Sequence, residues 1–274
     1  MRRAAAVLLA LSVLAPAGVP TPLAAQTGAE ATAQTREAEA ERYAECMARA
    51  RSDPDAALGR ARSWRDTGGG APARHCEGVA LMTLGRYAES GRTLEALAEA
   101  LPADAQPRLR ANALAQAGQA WLLADQAARA EAAYSAALKV RPEDVALWID
   151  RALARFEAGR PWEAIDDLNR ASELAPQRAD IFVFRASAYR HVDALDLARE
   201  DVERALDLDP THLEGLLERG ILHRLAGRKD AARRDWLKVI DRAPDSPAAI
   251  AARENLEKMD VQAGEEQTGE GQTG

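Results

Sequence analysis

The sequence predicts an all-α protein, a solenoid of repeated helix pairs. Three observations carry that expectation. Pro142, Pro176, Pro210 and Pro244 stand 34 residues apart, and Ala130, Ala164, Ala198 and Ala232 keep the same step; self-similarity at a period in this range marks a repeat architecture. Within each period apolar residues recur at helical spacing. The composition is rich in Ala, Leu, Arg and Glu, all strong helix formers, while aromatics are only 4% of 274 residues, thin for one large β core.

Taken from the N-terminus, residues 1–25 read as a secretory signal. Arg2 and Arg3 supply a positive start, Ala4 to Ala15 an apolar run too short to span a membrane, and small residues follow, with cleavage preferred after Ala25. Removal of this segment takes away two positive charges from a chain whose formal charge is already −7. The expected location is therefore periplasmic or secreted, with no membrane span after cleavage. Residues 26–35 read as a disordered linker. Residues 36–70 read as a degenerate helix pair: one helix runs through Tyr43 and Met47, Asp53-Pro54 caps and opens a second through Leu58 and Trp64, and Thr67 to Gly70 closes it.

The regular units follow. Leu147, Trp148, Ala152 and Phe156 give the first helix of one unit its apolar spacing. Gly159 then interrupts, and Pro161 opens a second helix with Ala164, Leu168, Ala171 and Leu174 on its stripe. Phe182, Ala186, Tyr189, Ala198 and Ala205 repeat the scheme, as do Leu216, Gly220, Ala232 and Trp236. Thr211 with Glu214 has the spacing of a capping box. Ser246-Pro247 starts a final helix through Ile250, Leu256 and Met259 over 247–261, and 262–274 reads as a disordered acidic tail.

These units resemble tetratricopeptide repeats. Gly118, Trp121, Ala130, Tyr134, Ala137 and Pro142 match that family's pattern in 111–144, and Trp148, Gly159, Ala164, Ala171 and Pro176 match it in 145–178. Units 179–212 and 213–246 follow, and 71–104 fits with Gly78, Gly85, Tyr87 and Pro102, six residues upstream of the next unit. Ala152 and Ala186 replace the usual Gly of the first helix. The resemblance implies a right-handed superhelix of five repeats, in which the first helix (A) of each lines a concave groove and the second (B) backs it. It also implies inner positions at Val79, Met82, Gln119, Leu122, Ile149, Leu153 and Phe156, then Ser187, Arg190, His191, Ile221 and Arg224. Such a groove would be apolar at one end and cationic at the other. It would suit a peptide or protein segment with apolar anchors and an acidic group.

Two further constellations need a reading. Arg151, Arg185 and Arg219 share the period with Asp167, Asp201 and Asp235. Either the arginines form a rail for an anionic ligand, or each pairs with an aspartate across the helix packing, as a part-buried guanidinium prefers; a shared period is what pairing requires. Arg170 and Arg204, three residues after an Asp of the column, are placed to share it. Cys46 and Cys76, the two cysteines, fall in the exported part, where an even count favours a disulfide. Two free thiols, or a thiol or metal site with His75, are the alternatives, although no CxxC spacing appears and three ligands are few.

Catalytic motifs are missing. His191, His212 and His223 are scattered, none near a Ser or Cys nucleophile in a recognisable pattern, and no phosphate loop exists. An acidic balance without a basic aromatic stripe argues against nucleic acid. The expected function is a non-catalytic interaction scaffold of the bacterial cell envelope with no cofactor, or an accessory subunit of an envelope assembly complex. Its partner and oligomeric state are open at this point.

Overall fold

The structure, a computed structural model, describes residues 23–102 and 106–270, so most of the expected signal segment lies outside the described residues. Among those residues there are thirteen helices and no strand. They are α1 (Leu23–Ser52), α2 (Pro54–Asp66), α3 (Gly70–Thr83), α4 (Tyr87–Ala100), α5 (Pro107–Leu123), α6 (Ala127–Val140), α7 (Val145–Glu157), α8 (Pro161–Leu174), α9 (Ala179–His191), α10 (Leu195–Leu208), α11 (Leu213–Leu225), α12 (Lys229–Arg242) and α13 (Pro247–Glu270). The chain forms two units, 1–45 and 46–274. The second is the right-handed solenoid that the repeats predict. From α2 onward each helix packs on the next in sequence, and α5 also touches α7, α9 touches α11, and α11 touches α13. That nearest-neighbour pattern is how a solenoid buries a face that no single helix pair could cover.

The A helices are α3, α5, α7, α9 and α11; the B helices are α4, α6, α8, α10 and α12. Their packing follows a size rule. Gly118 of α5 faces Tyr134 of α6 so closely that an added Cβ would lie 2.7 Å from the ring, and a Cβ on Gly220 of α11 would collide with the Trp236 indole of α12. In the two repeats between them, Ala152 shares a core with Leu168, and Ala186 shares one with Val202. In these four repeats glycine thus meets an aromatic ring and alanine a smaller aliphatic, which keeps the summed volume nearly constant, while in the first repeat Gly78 of α3 lets Leu94 of α4 approach instead.

Each A–B turn contains one residue with positive φ. Gly85, Gly159 and Gly227 supply it in three repeats, and Asp125 (φ 56°) and Asp193 (φ 59°) in the other two. Aspartate is among the few side chains that tolerate this conformation.

Several local expectations change. Residues 26–35 and 262–270, expected as a linker and as part of a tail, continue the helical backbone of α1 and α13. Once a helix is nucleated, each added residue gains a hydrogen bond. Helix α5 starts at Pro107 and absorbs much of the six-residue register break. The cap of α11 is His212, whose Nδ1 accepts from the Gly215 N–H at 3.3 Å; Thr211 is instead engaged by the Asp209 carboxylate, so no capping box forms. In α13 the buried stripe is Ala248, Ala249, Ala252 and Met259, with Leu256 beside it, while Ile250 points to solvent. Asp53 caps α2 as expected, accepting from the Ala56 N–H. No described helix is long and apolar enough to cross a membrane.

Candidate binding groove

The arginine column is structural. Arg151 reaches Asp167 with two hydrogen bonds of 2.8 and 2.6 Å, Arg185 reaches Asp201 at 2.7 and 2.6 Å, and Arg219 reaches Asp235 at 2.8 and 2.9 Å. Each is a bidentate fork between helices A and B of one repeat, the geometry a planar guanidinium is built for. The neighbours complete the donor set. Arg151 also meets Ser135, Arg185 meets Asn169 and Ser172, and Arg155 adds a second cation to Asp167 at 2.9 Å. Burial pushes the Asp235 carboxyl up, but the hydrogen bond and charge of Arg219, with Lys238, hold it below its ordinary value. Arg170 and Arg204 do not share the column: Arg170 pairs with Glu173, and Arg204 lies over the Phe182 ring. With its guanidiniums consumed, the column offers no anion rail.

Cys46 of α1 and Cys76 of α3 form a disulfide with Cα atoms 6.2 Å apart. Both sulfurs are thereby removed as thiolate ligands or nucleophiles. His75 instead bonds Gln116 of α5 through Nε2 at 3.0 Å, and burial lowers its pKa. The thiol or metal alternative is overturned on these grounds.

The inner face is where successive A helices meet. Besides the His75–Gln116 bond, Phe156 of α7 packs edge-on against His191 of α9, with ring centroids 4.6 Å apart. Arg190 of α9 donates through Nε to Glu218 of α11 at 2.5 Å. Between α5 and α7, Leu122 and Leu153 line an open cleft of about 400 Å³ with Leu123, Ala127, Asp125 and Glu157.

The expected inner residues divide under this geometry. Leu122, Leu153 and Phe156 are half-buried on the inner face, and Gln119 is exposed. Ile149 is buried in the core with Ala152 and Leu168, because a helix packed on three neighbours has a wider apolar stripe than the repeat pattern alone implies. Val79 packs toward the cluster of Ala57, Leu58 and Leu81, and Ile221 toward that of Trp236 and Val239. Met82 is half-buried.

The cationic end also needs correction. The Arg190 charge is neutralised by the buried Glu218, and its Nη2 also reaches Ser187, whose carbonyl meets His191 Nδ1. Arg224 sits one repeat after Arg190, and its Nε is buried without an acceptor. The residue of α13 that stands where Glu218 does for Arg190 is Ala252, which has no side-chain acceptor to offer.

Sequence reasoning missed the acids of this face. Glu218 and Asp150 occupy one register position of the A helices, and Glu157 and Asp125 sit at the A–B turns. Burial and the Asp144 charge lift the Asp150 carboxyl to about 6, against a smaller opposing pull from Arg178. Their only sequence signal was the i, i+7 relation of 150 to 157 on α7.

Comparison with known proteins places this geometry in context. Tetratricopeptide-repeat patterns match residues 118–188 and 185–247. No curated protein matches the chain in sequence. Among solved structures, TTC0263, described as a thermophilic TPR protein in Thermus thermophilus, is similar at a TM-score of 0.54 and 20% identity, over 69% of this chain and 97% of that one. MamA 41-end from Desulfovibrio magneticus RS-1 is similar at 0.54 and 21%, over 64% of this chain and 97% of that one. At these identities the likeness concerns the fold.

Proposed function

Since the chain is a tetratricopeptide repeat protein, we propose that it is a non-catalytic scaffold that holds an extended segment of a partner protein along the inner face of its A helices. The observation that carries this reading is the open cleft between α5 and α7. There Leu123 is 49% exposed beside the half-buried Leu122 and Leu153, with no element of the chain covering them among the described residues. Exposed contiguous apolar surface rimmed by polar groups is the usual mark of an interaction site. The internal charge pairing of Arg151, Arg185, Arg190 and Arg219 agrees with this role, because it leaves shape and apolar anchors as the main means of holding a segment beside the cleft.

The cellular setting belongs to the same proposal. A signal-like start and a Cys46–Cys76 disulfide both suit an exported protein of an oxidising compartment. Crosslinking capture from the envelope fraction tests both parts, run beside a chain carrying Leu122→Ser, Leu153→Ser and Phe156→Ser. A partner retained by the first and lost by the second supports the groove. Identical capture by both chains, or a chain found only in the cytoplasm, would sink the corresponding part.

A further inference from the structure

The cleft between α5 and α7 has a chemical bias that the fold does not require. Its floor is apolar: Leu122, Leu123, Leu153 and Ala127. Its rim is acidic: Asp125 from the turn after α5 and Glu157 from the end of α7, both exposed. The buried and half-buried carboxylates nearest in sequence are matched by guanidiniums: Glu131 by Arg155 and Arg160, and Asp167 by Arg151 and Arg155, as is Glu218 by Arg190 farther along the array. Asp125 and Glu157 are in no such pair among the described residues. Of the arginines close to them in sequence, Arg155 is engaged in the network just named and Arg129 lies over the Trp121 ring, 4.5 Å from its centroid. Asp125 occupies the left-handed turn position that glycine fills in three of the five repeats and Asp193 in another, so this turn presents a carboxylate where most of the others present no side chain.

From this we infer that the cleft selects a partner segment in which an apolar side chain is flanked by lysine or arginine. The apolar side chain would sit on Leu122 and Leu153, and the cation would lie between Asp125 and Glu157. A long basic side chain suits both surfaces, since its methylene stem covers leucine while its charged end meets the rim. This selectivity rests on the groove reading and reverses the acidic ligand expected from the sequence, because Arg190 is already neutralised on the same face.

The test uses two pools of short synthetic peptides, capped at both ends and identical in their Leu and Ile positions. One pool carries Lys or Arg at the flanking positions and the other carries Glu. Binding is read by fluorescence anisotropy on the disulfide-intact chain, on an Asp125→Asn, Glu157→Gln variant, and on a Leu153→Ser variant. Asparagine tolerates the left-handed turn, so the double variant keeps its fold.

The expected result is a preference of about tenfold for the basic pool, weakened by added salt and reduced to about twofold in the double variant. If both pools bind equally, or the acidic pool binds better, and Leu153→Ser abolishes that binding, the charge selectivity is overturned while the groove stands. If neither pool binds, or if Leu153→Ser changes nothing, the groove reading falls and the selectivity with it.

Discussion

The two halves of the solenoid stabilise the same helix-pair geometry with different chemistry. In α7–α12 every repeat has an arginine on helix A bound to an aspartate sixteen residues later on helix B. At the equivalent positions of α3–α6 stand Glu77 with Thr93, and Ala117 with Ala133. There Glu77 takes the buried place and is reached from α2 by Arg62 at 3.0 Å and Arg65 at 2.6 Å, while the Cys46–Cys76 bridge ties the end of α1 to α3. The contrast teaches that one helix-pair geometry can be held from within, as in the three C-terminal repeats, or from the flanking helices, as Glu77 and Cys76 of the first repeat are held by α2 and α1. The first repeat has one regular repeat fewer to stack on, and the covalent link compensates for that missing cover.

The largest effect should come from breaking the covalent link. Replacing both cysteines, Cys46→Ser with Cys76→Ser, opens a loop of 30 residues and should cost about 3.5 kcal/mol on the chain-entropy account. Hydrogen exchange would show the loss confined to α1–α4, with α7–α12 unchanged; uniform loss along the array would break the comparison. Next in size is Asp201→Ala, which leaves the part-buried Arg185 without its fork and should destabilise by about 3 kcal/mol. Chemical denaturation would measure it, and a cost below about 1 kcal/mol would mean that the column contributes no more than surface pairs do.

The smallest effect sharpens the contrast within one helix. Asp150 precedes Arg151 on α7 but has no such fork, and its carboxyl is raised to about 6. Between about pH 4 and 6 the folded state therefore holds more proton than the unfolded state, so stability falls as pH rises through that window. Asp150→Asn should raise stability at pH 7.5 by about 1–2 kcal/mol, allowing for solvent screening, and should change little at pH 4. Thermal melts at the two pH values decide it; an equal gain at both would show that the ionised carboxylate is not the cause.

Much of this is legible in the sequence, because it repeats at a fixed interval. The proline and alanine columns set the helix pairs, and the matched Arg and Asp columns announce their own pairing. The cysteines are readable because only one intramolecular pairing is open to them. What the sequence conceals lies between repeats. Arg190 meets Glu218 across 28 residues, an offset that no column of identical residues displays. Ile149 reads as a groove residue when its helix face is inferred from one neighbour, whereas three surround it. The acidic rim is hidden for a related reason: Asp125 sits where glycine does in other repeats, and a turn position reads as backbone geometry before it reads as charge.

The sixteen-residue reach of each Arg–Asp fork also bears on how such a chain can lengthen. Both partners lie inside one 34-residue unit, so copying or excising a whole unit would move a complete pair and strand no buried charge. The Arg190–Glu218 contact crosses a unit boundary and has no such immunity: ending the array after α10 would leave Arg190 without its acid, as Arg224 is now without an acceptor at its buried nitrogen. Arg224 thus marks the last unit of the array as the one whose groove-side arginine faces Ala252 where Arg190 has Glu218.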